Sequence, residues 1–345
     1  MTRIASAPKT VTASIIFVLL HLAIGFAGFV APYDPSAQNR DLPYAPPTRL
    51  HFVDARRHLH LRPFVYRWSA RPDAFNEYEE SREHEYPVHF FVSGEQYKVA
   101  GLFSSRTHLF GVGASAQIFL AGTDSYGRDQ FSRILYGGQI SLTAGVLATA
   151  ISLCLGLAIG CFSGFYGRWV DESSMRLAEL FLILPWLYLL LAVRAFLPLH
   201  ITPTQTFFLV VAVIGAIGWA RPARLVRGIV LSAKTQKYVT ASRGFGASDA
   251  HILHRHILPH VYGVLLTQAA LLVPQYVIAE VTLSFFGLGL GEPKPSWGNL
   301  LANLQQYSVL VSYWWMFAPA LPLALISLGY LSIANAVHEL QSASA

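Results

Sequence analysis

The chain has 345 residues, 53% of them hydrophobic and only 13% charged, with a net charge of +6 and a mean hydropathy of +0.42. A soluble domain carries about 25% charged residues; the deficit here comes from apolar runs of roughly 18 residues or more, enough to cross a ~30 Å hydrocarbon layer. That excludes a soluble enzyme, a disordered tail and a disulfide-rich secreted module. The surplus of Lys and Arg reads as the cytoplasmic bias that orients membrane proteins, and no nucleic-acid partner is expected.

The first apolar run, 10–30, follows a head carrying Arg3 and Lys9. It is longer than the ~7–15-residue core of a signal peptide and reads as a retained anchor helix. Through 31–138 the chain is polar and aromatic. Stretches 63–68, 88–92, 97–103 and 117–120 alternate aromatic and β-branched residues, separated by turn-prone Ser93-Gly94 and Ser104-Ser105. This predicts a small β-rich domain over about 49–121, between stiff Pro-rich connectors at 32–35 and 43–47. Further spans are predicted at 140–165, 175–197, 206–220, 261–290 and 311–336. Cys154 and Cys161 share one of them, roughly 10 Å apart in helical rise and so too far for a disulfide.

The fold class is thus an all-α polytopic membrane protein of about six transmembrane helices with a small β-rich external insert. Its parts are a head and first span (1–30), an external segment (31–138), a core of five spans (139–336) holding a loop at 221–260, and a tail (337–345). Basic residues gather in the head, after the second span (Arg168, Arg176), and above all in that loop, with Arg221, Arg224, Arg227, Lys234, Lys237, Arg243 and Arg255. The loop and both termini are therefore assigned to the cytoplasm and the insert to the outside.

No phosphate loop of the G-x-x-x-x-G-K-[ST] kind and no G-x-S-x-G elbow is present, and no catalytic residue is assigned. His58 with His60, and His84 with His89, lack the spacing of a zinc helix and read as surface histidines; no metal site is expected. His251, His254, His256 and His260 read as one polar helix face. Asp124, Arg128 and Asp129 suit capping of the incoming helix. Gly156, Gly160 and Gly164 form a small-x-x-x-small stripe that lets another helix approach closely. In the fifth span Gln275 and Glu280 are candidates for a translocation path, although Glu280 suits the outer water boundary equally.

The 221–260 loop is the most informative stretch. Tyr238, Ala241, Ser242 and Phe245 recur at helical spacing until Gly246 breaks the pattern. Ser248-Asp249 then starts a second helix, 250–258, stopped by Pro259. Two short amphipathic helices joined at a glycine suit docking into a partner's groove.

The run from Lys237 to Asp249, continuing through Arg255-His256-Ile257-Leu258-Pro259, resembles the EAA loop of binding-protein-dependent ABC importer permeases. It is most similar to the C-type permease of the dipeptide/oligopeptide/nickel group. Gly122-Thr123-Asp124 with Gly127-Arg128-Asp129, Ala279-Glu280 with the run Leu283 to Gly289, and Pro295-Ser296-Trp297-Gly298 agree with it. The resemblance implies a type I importer permease in a bacterial inner membrane. It would pair with a homologous second permease, receive solute from a periplasmic binding protein, and couple to two ATP-binding subunits. ATP and Mg would sit on those subunits, with no cofactor bound by this chain. The coupling positions would be Tyr238, Ala241, Gly246, Ala247, Ser248, Asp249, Leu258 and Pro259. Thr240, Ser242 and His256 depart from the motif, which has Glu, Ala and Ile there, and the insert exceeds the family's short connector. Two readings from other classes are a membrane-embedded enzyme or sensor using the external domain, and a proton-coupled transporter with Glu280 as relay. The second predicts an internal inverted repeat, which is not evident.

Overall fold

The computed structural model describes residues 7–71, 77–99, 103–113, 116–196 and 202–344. Arg3, the middle of the expected 97–103 strand and the end of the expected 175–197 span lie outside them. In chain order, α1 (Ala7–Gly25) and α2 (Ala27–Val30) lead into β1 (His51–Val53), β2 (Leu59–Ala70), β3 (Tyr78–Pro87), β4 (His89–Val99) and β5 (Phe103–Gly111). Helices α3 (Gln130–Tyr166), α4 (Arg168–Ile183), α5 (Trp186–Ala195), α6 (Pro203–Ile217) and α7 (Ala220–Ala233) follow. Then come α8 (Lys237–Gly244), α9 (Asp249–Ile252), a π turn (Leu253–Ile257) and α10 (Leu258–Phe285). The chain closes with α11 (Trp297–Ala302), α12 (Tyr307–Ser312) and α13 (Ala320–Ser344). Two compact units divide it: residues 1–141 with 290–325, and 142–289 with 326–345.

In the first unit β1-β2-β3 and β4-β5 form two antiparallel sheets. Four details differ from the sequence pattern. Ser104-Ser105 is no turn but lies in β5, paired with Lys98 and Tyr97 of β4. Ser93-Gly94 is no turn: β4 runs through it, with a register shift between Ser93 and Tyr97. Gly94 is needed there because a Cβ would lie 2.6 Å from the His108 ring. Residues 117–120 join no ladder; Thr48 and the Tyr33 hydroxyl partner their backbone, while Ile118 and Phe119 fill the core. Finally β3, with sequence YEESREHEYP, is a strand despite its charges.

The loop 122–129 and the segment 290–298, remote in sequence, are joined by ions. Arg128 Nε donates to Asp124 Oδ2 at 2.7 Å, and its Nη atoms reach both Glu292 oxygens at 2.7 and 3.2 Å. Arg133, completely buried, donates to Glu292 Oε1 at 2.8 Å and lies 3.5 Å from Asp124. Asp124 thus anchors an ion cluster, and the capping falls to Asp129 alone, whose Oδ2 accepts the Ser132 N–H at 2.9 Å. Burial in the first place pushes the Asp129 carboxyl up to about 6. Trp297, fully buried, donates Nε1–H to the Ile134 carbonyl at 2.9 Å.

In the second unit the expected span 175–197 is broken. Leu184 is extended (ψ 133°) before Pro185, as the proline ring demands of its predecessor, and α4 and α5 meet at 95°. At Gly218, α6 and α7 bend by 42°. Thr202 starts α6 with a capping box to Gln205 and Pro203 at its first turn. Pro259 does not stop a helix: α10 runs on through it to Phe285. In an α-helix residue 259 would need an N–H and its ring would strike the carbonyl of residue 255. The π turn widens the backbone just there, Leu258 N–H bonding back to the Leu253 carbonyl.

Among the described residues three helices are long and apolar enough to cross a membrane: Gln130–Tyr166, Asp249–Phe285 and Trp314–Val337. Counting each bent pair as one span gives five, against the six expected. The fully described part of α1, Ser14–Gly25, is shorter than a span.

Candidate functional site

The glycine stripe of α3 sets the base of the site. A Cβ on Gly156 would stand 2.6 Å from Pro222 Cβ, on Gly160 2.6 Å from the Ala223 carbonyl oxygen, and on Gly164 2.8 Å from Val230 Cβ. All three neighbours belong to α7, so the helices touch backbone to backbone. Polar bonds fix the far end. Arg227 of α7 forms a two-pronged pair with Asp171 of α4, Nη2 to Oδ2 at 2.7 Å, and Asp171 also accepts the Ser163 hydroxyl of α3. Lys234 Nζ donates to the Gly164 carbonyl at 2.8 Å.

Against this base sit α8 and α9. Val239, Ile252, Ile257 and Val261 bury themselves with Cys161, Val226, Val230 and Ala233. The stripe singled out by spacing is the other face: Tyr238, Ala241 and Phe245 are exposed, Phe245 at 93%, and Ser242 is half-buried. Gly246 turns the chain with φ +83°, a left-handed conformation that a side chain adopts only with strain. After it Ser248 Oγ accepts the His251 N–H at 3.3 Å and opens α9, while Asp249 faces Arg243 at 3.5 Å. Ala247 and Leu258 are half-buried beside the base, and Pro259 is exposed in the first turn of α10.

The four histidines are exposed, or half-buried at His256, and three of them make contacts. The Tyr238 hydroxyl meets His260 Nε2 at 3.0 Å, and His256 packs edgewise on His251 with ring centres 5.8 Å apart. Together they tie the end of the π turn to α8 and α9.

Where α4 gives way to α5, a cavity of about 270 Å³ opens, lined by Leu184, Pro185, Trp186, Arg221, Gln275 and Tyr276 among others. It is an apolar hollow with a few polar groups, the usual character of a small-solute site. Gln275 lines it. Tyr276 is held by Ser152, oxygen to oxygen 2.9 Å, and the same hydroxyl would lie 1.8 Å from a Cβ on Gly218, the residue of the α6–α7 bend. Glu280 is not in its lining; it is fully buried one turn on and accepts the Ser284 hydroxyl at 2.6 Å. Periodicity carried no sign of the cavity, because it exists only where the Pro185 break parts two helices. The proline itself was the available signal.

Comparison with known proteins fits these features. Residues 156–341 match the family described as binding-protein-dependent transport system inner membrane component. A Brucella suis protein bearing a peptide-permease name is 37% identical over 213 residues, 61% of this chain and 68% of that protein. The dipeptide transport system permease protein DppC of Bacillus subtilis is 34% identical over 219 residues, 63% of this chain and 66% of its own length. The oligopeptide transport system permease protein OppC of Haemophilus influenzae is 38% identical over 205 residues, 59% and 63% of the two chains. Each alignment spans about two-thirds of the relative. The chain belongs to the inner-membrane component family of binding-protein-dependent transport systems.

Proposed function

We propose that the chain is one of two permease subunits of an ATP-driven importer for peptides, non-catalytic itself, with hydrolysis on two ATP-binding partners that carry the ATP and Mg. The observation that carries this reading is the α8–α9 pair: a glycine-hinged element with a buried inner face and an outward stripe of Tyr238, Ala241 and Phe245. Ala241, Gly246, Ala247, Ser248, Asp249, Leu258 and Pro259 complete the coupling element. An apolar helix face laid into a groove is a recurrent recognition mode, and here it would transmit ATPase closure to the helices on which α8 and α9 rest. Where the motif that the loop resembles has a Glu, Thr240 donates its hydroxyl to the Gln236 carbonyl at 3.4 Å, so coupling would rest on shape more than on charge.

The cavity at the Pro185 break, with Gln275 in its wall, is our choice for this chain's share of the path. Peptide as the solute is supported by the names of the relatives. With α8 and α9 facing the ATPases and α1 taken as a sixth crossing beside the five spans, both termini would lie in the cytoplasm and the strands β1–β5 outside, beside the solute-binding protein and the second permease.

The test is purification from the native membrane in mild detergent with mass spectrometry of bound chains. The wild type is expected to bring a second permease and ATPase subunits. F245D, which alters a ring that packs on no core cluster, is expected to lose the ATPases and keep the second permease. Undiminished ATPase recovery with F245D would overturn the coupling role.

A further inference from the structure

The three-stranded sheet holds a cluster that transport does not use. Asp54 follows β1, and its Oδ1 accepts the backbone N–H groups of Arg56 and His58, both at 2.8 Å. That fixes the carboxylate and leaves Oδ2 facing two imidazoles: His58 Nδ1 at 3.1 Å and His60 Nε2 at 3.2 Å. Glu85, from β3, brings Oε2 to 3.8 Å from His60 Nε2. The ligating atoms of Asp54, His60 and Glu85 all lie within 4.8 Å of one another. The turn after β1 and the strands β2 and β3 thus supply one donor each, from positions whose sequence spacing matches no metal motif.

We propose that Asp54, His60 and Glu85 bind a divalent transition-metal ion of the zinc type, with His58 or a water completing the shell. Three considerations select that class. Tetrahedral coordination with bonds of ~2.0–2.2 Å sets donor atoms roughly 3.3–3.6 Å apart; two of the separations here, 3.2 and 3.8 Å, bracket that spacing, and the third is within 4.8 Å, a gap that rotation of the exposed Glu85 side chain can close. Imidazole with carboxylate suits zinc, nickel or copper, whereas calcium takes six to eight oxygens. Lastly, the backbone hydrogen bonds to Asp54 Oδ1 orient this ligand in advance, as outer contacts do in built metal sites. The ion would clip β2, β3 and the turn after β1 together. Its ligands must shed protons to bind it, so uptake releases protons.

The plain alternative is an ion-free cluster in which an imidazole N–H donates to Asp54 Oδ2. The full-length chain, made without a polyhistidine tag and stripped with chelator, is titrated with Zn²⁺ against a chromogenic competitor. Thermal melting is followed in parallel with and without Zn²⁺. The wild type is expected to show one high-affinity equivalent and a higher melting temperature with zinc. H60A and E85Q should weaken that equivalent at least tenfold and abolish the zinc-dependent rise. H84A, next to Glu85 in sequence but outside the Asp54–His60–Glu85 group, should leave both unchanged. Both ligand side chains are more than a third exposed, so the metal-free melts should confirm that the variants fold. Absence of a tight equivalent in the wild type, or its survival in H60A and E85Q, would establish the ion-free cluster and overturn the proposal.

Discussion

Glu292→Gln should unfasten the junction between the 122–129 loop and the 290–298 segment. The carboxylate accepts three charge-assisted hydrogen bonds, two from Arg128 and one from Arg133, at 2.7, 3.2 and 2.8 Å. The two guanidinium side chains are 5% and 0% exposed. With Gln at 292, Asp124 alone would face two buried cations. Removing one partner of a buried ion pair costs roughly 3–5 kcal/mol, while an exposed pair is worth about 0–1 kcal/mol. Glu292 is 46% exposed, so water screens part of its field. The expected loss therefore lies between these limits, about 2–3 kcal/mol. For a unit of this size that is about 4–12 °C in melting temperature. Asp124→Asn should cost more, because that carboxylate is 1% exposed and also accepts the Tyr126 and Arg128 backbone N–H groups. The assay is thermal unfolding in detergent at fixed scan rate, read by fluorescence of buried Trp297 and Trp315, since membrane-protein melts are commonly irreversible and then rate-dependent. An E292Q melt within about 1 °C of wild type, or a D124N variant more stable than E292Q, would refute the reasoning that burial sets the order.

Three further expectations are open to the same or simpler measurements. Gly160→Val should lower the melting temperature by the equivalent of about 1–3 kcal/mol, since its Cβ meets the Ala223 backbone at 2.6 Å. Gly228→Ala, on the open side of α7, should be neutral or stabilising by up to about 1 kcal/mol; equal behaviour of the two would remove the close-approach argument. Asp129 binds its proton more tightly folded, at about 6, than at its ordinary 3.8, so its contribution to stability should rise as pH falls from about 6 towards 3.8 and be absent above. D129N keeps a good cap and should flatten that slope; an unchanged slope in D129N would assign it to another group. Excision of 51–111 should abolish transport while the remaining chain still recovers the second permease and the ATPases, and wild-type transport without it would remove any role for the strands in solute delivery.

The sequence made the helices legible to different degrees, and the differences have physical causes. The second and fifth spans were visible as long apolar runs, and Pro274 in the middle of the fifth is absorbed within α10. The third was visible as apolar but not as broken. Hydropathy averages over Leu184-Pro185, whereas the backbone responds to the single residue that proline forbids from the helical region. Pro259 shows the reverse error. Read as a stop, it is tolerated because the π turn before it supplies the needed width, and such a turn leaves no mark in composition. Strand β3 was missed for a similar reason: Glu79, Glu80, Arg82, Glu83 and Glu85 suggest a solvated linker, and pairing with β2 is decided by the partner strand and not by β3 itself.

The candidate site divides along the same line. Periodicity placed Tyr238, Ala241 and Phe245 on one stripe but could not say which way the stripe faces, since that depends on what covers it. The buried side proved to be Val239 and Ile252, seated against α7 and the start of α10. An apolar stripe of this spacing would ordinarily be core. Here the core positions are already filled by other residues of the same two helices, so Ala241 and Phe245 are left over by the packing, while Tyr238 bonds His260. Surplus apolar surface on a polar loop costs solubility and is retained where a partner covers it. That inference needs both halves: the spacing to find the stripe, and the packing of its opposite face to free it for something else. Asp54, His60 and Glu85 make the same point more sharply, for no spacing rule joins them, and only the pairing of β1, β2 and β3 brings the turn after β1 and the two other strands to a common point.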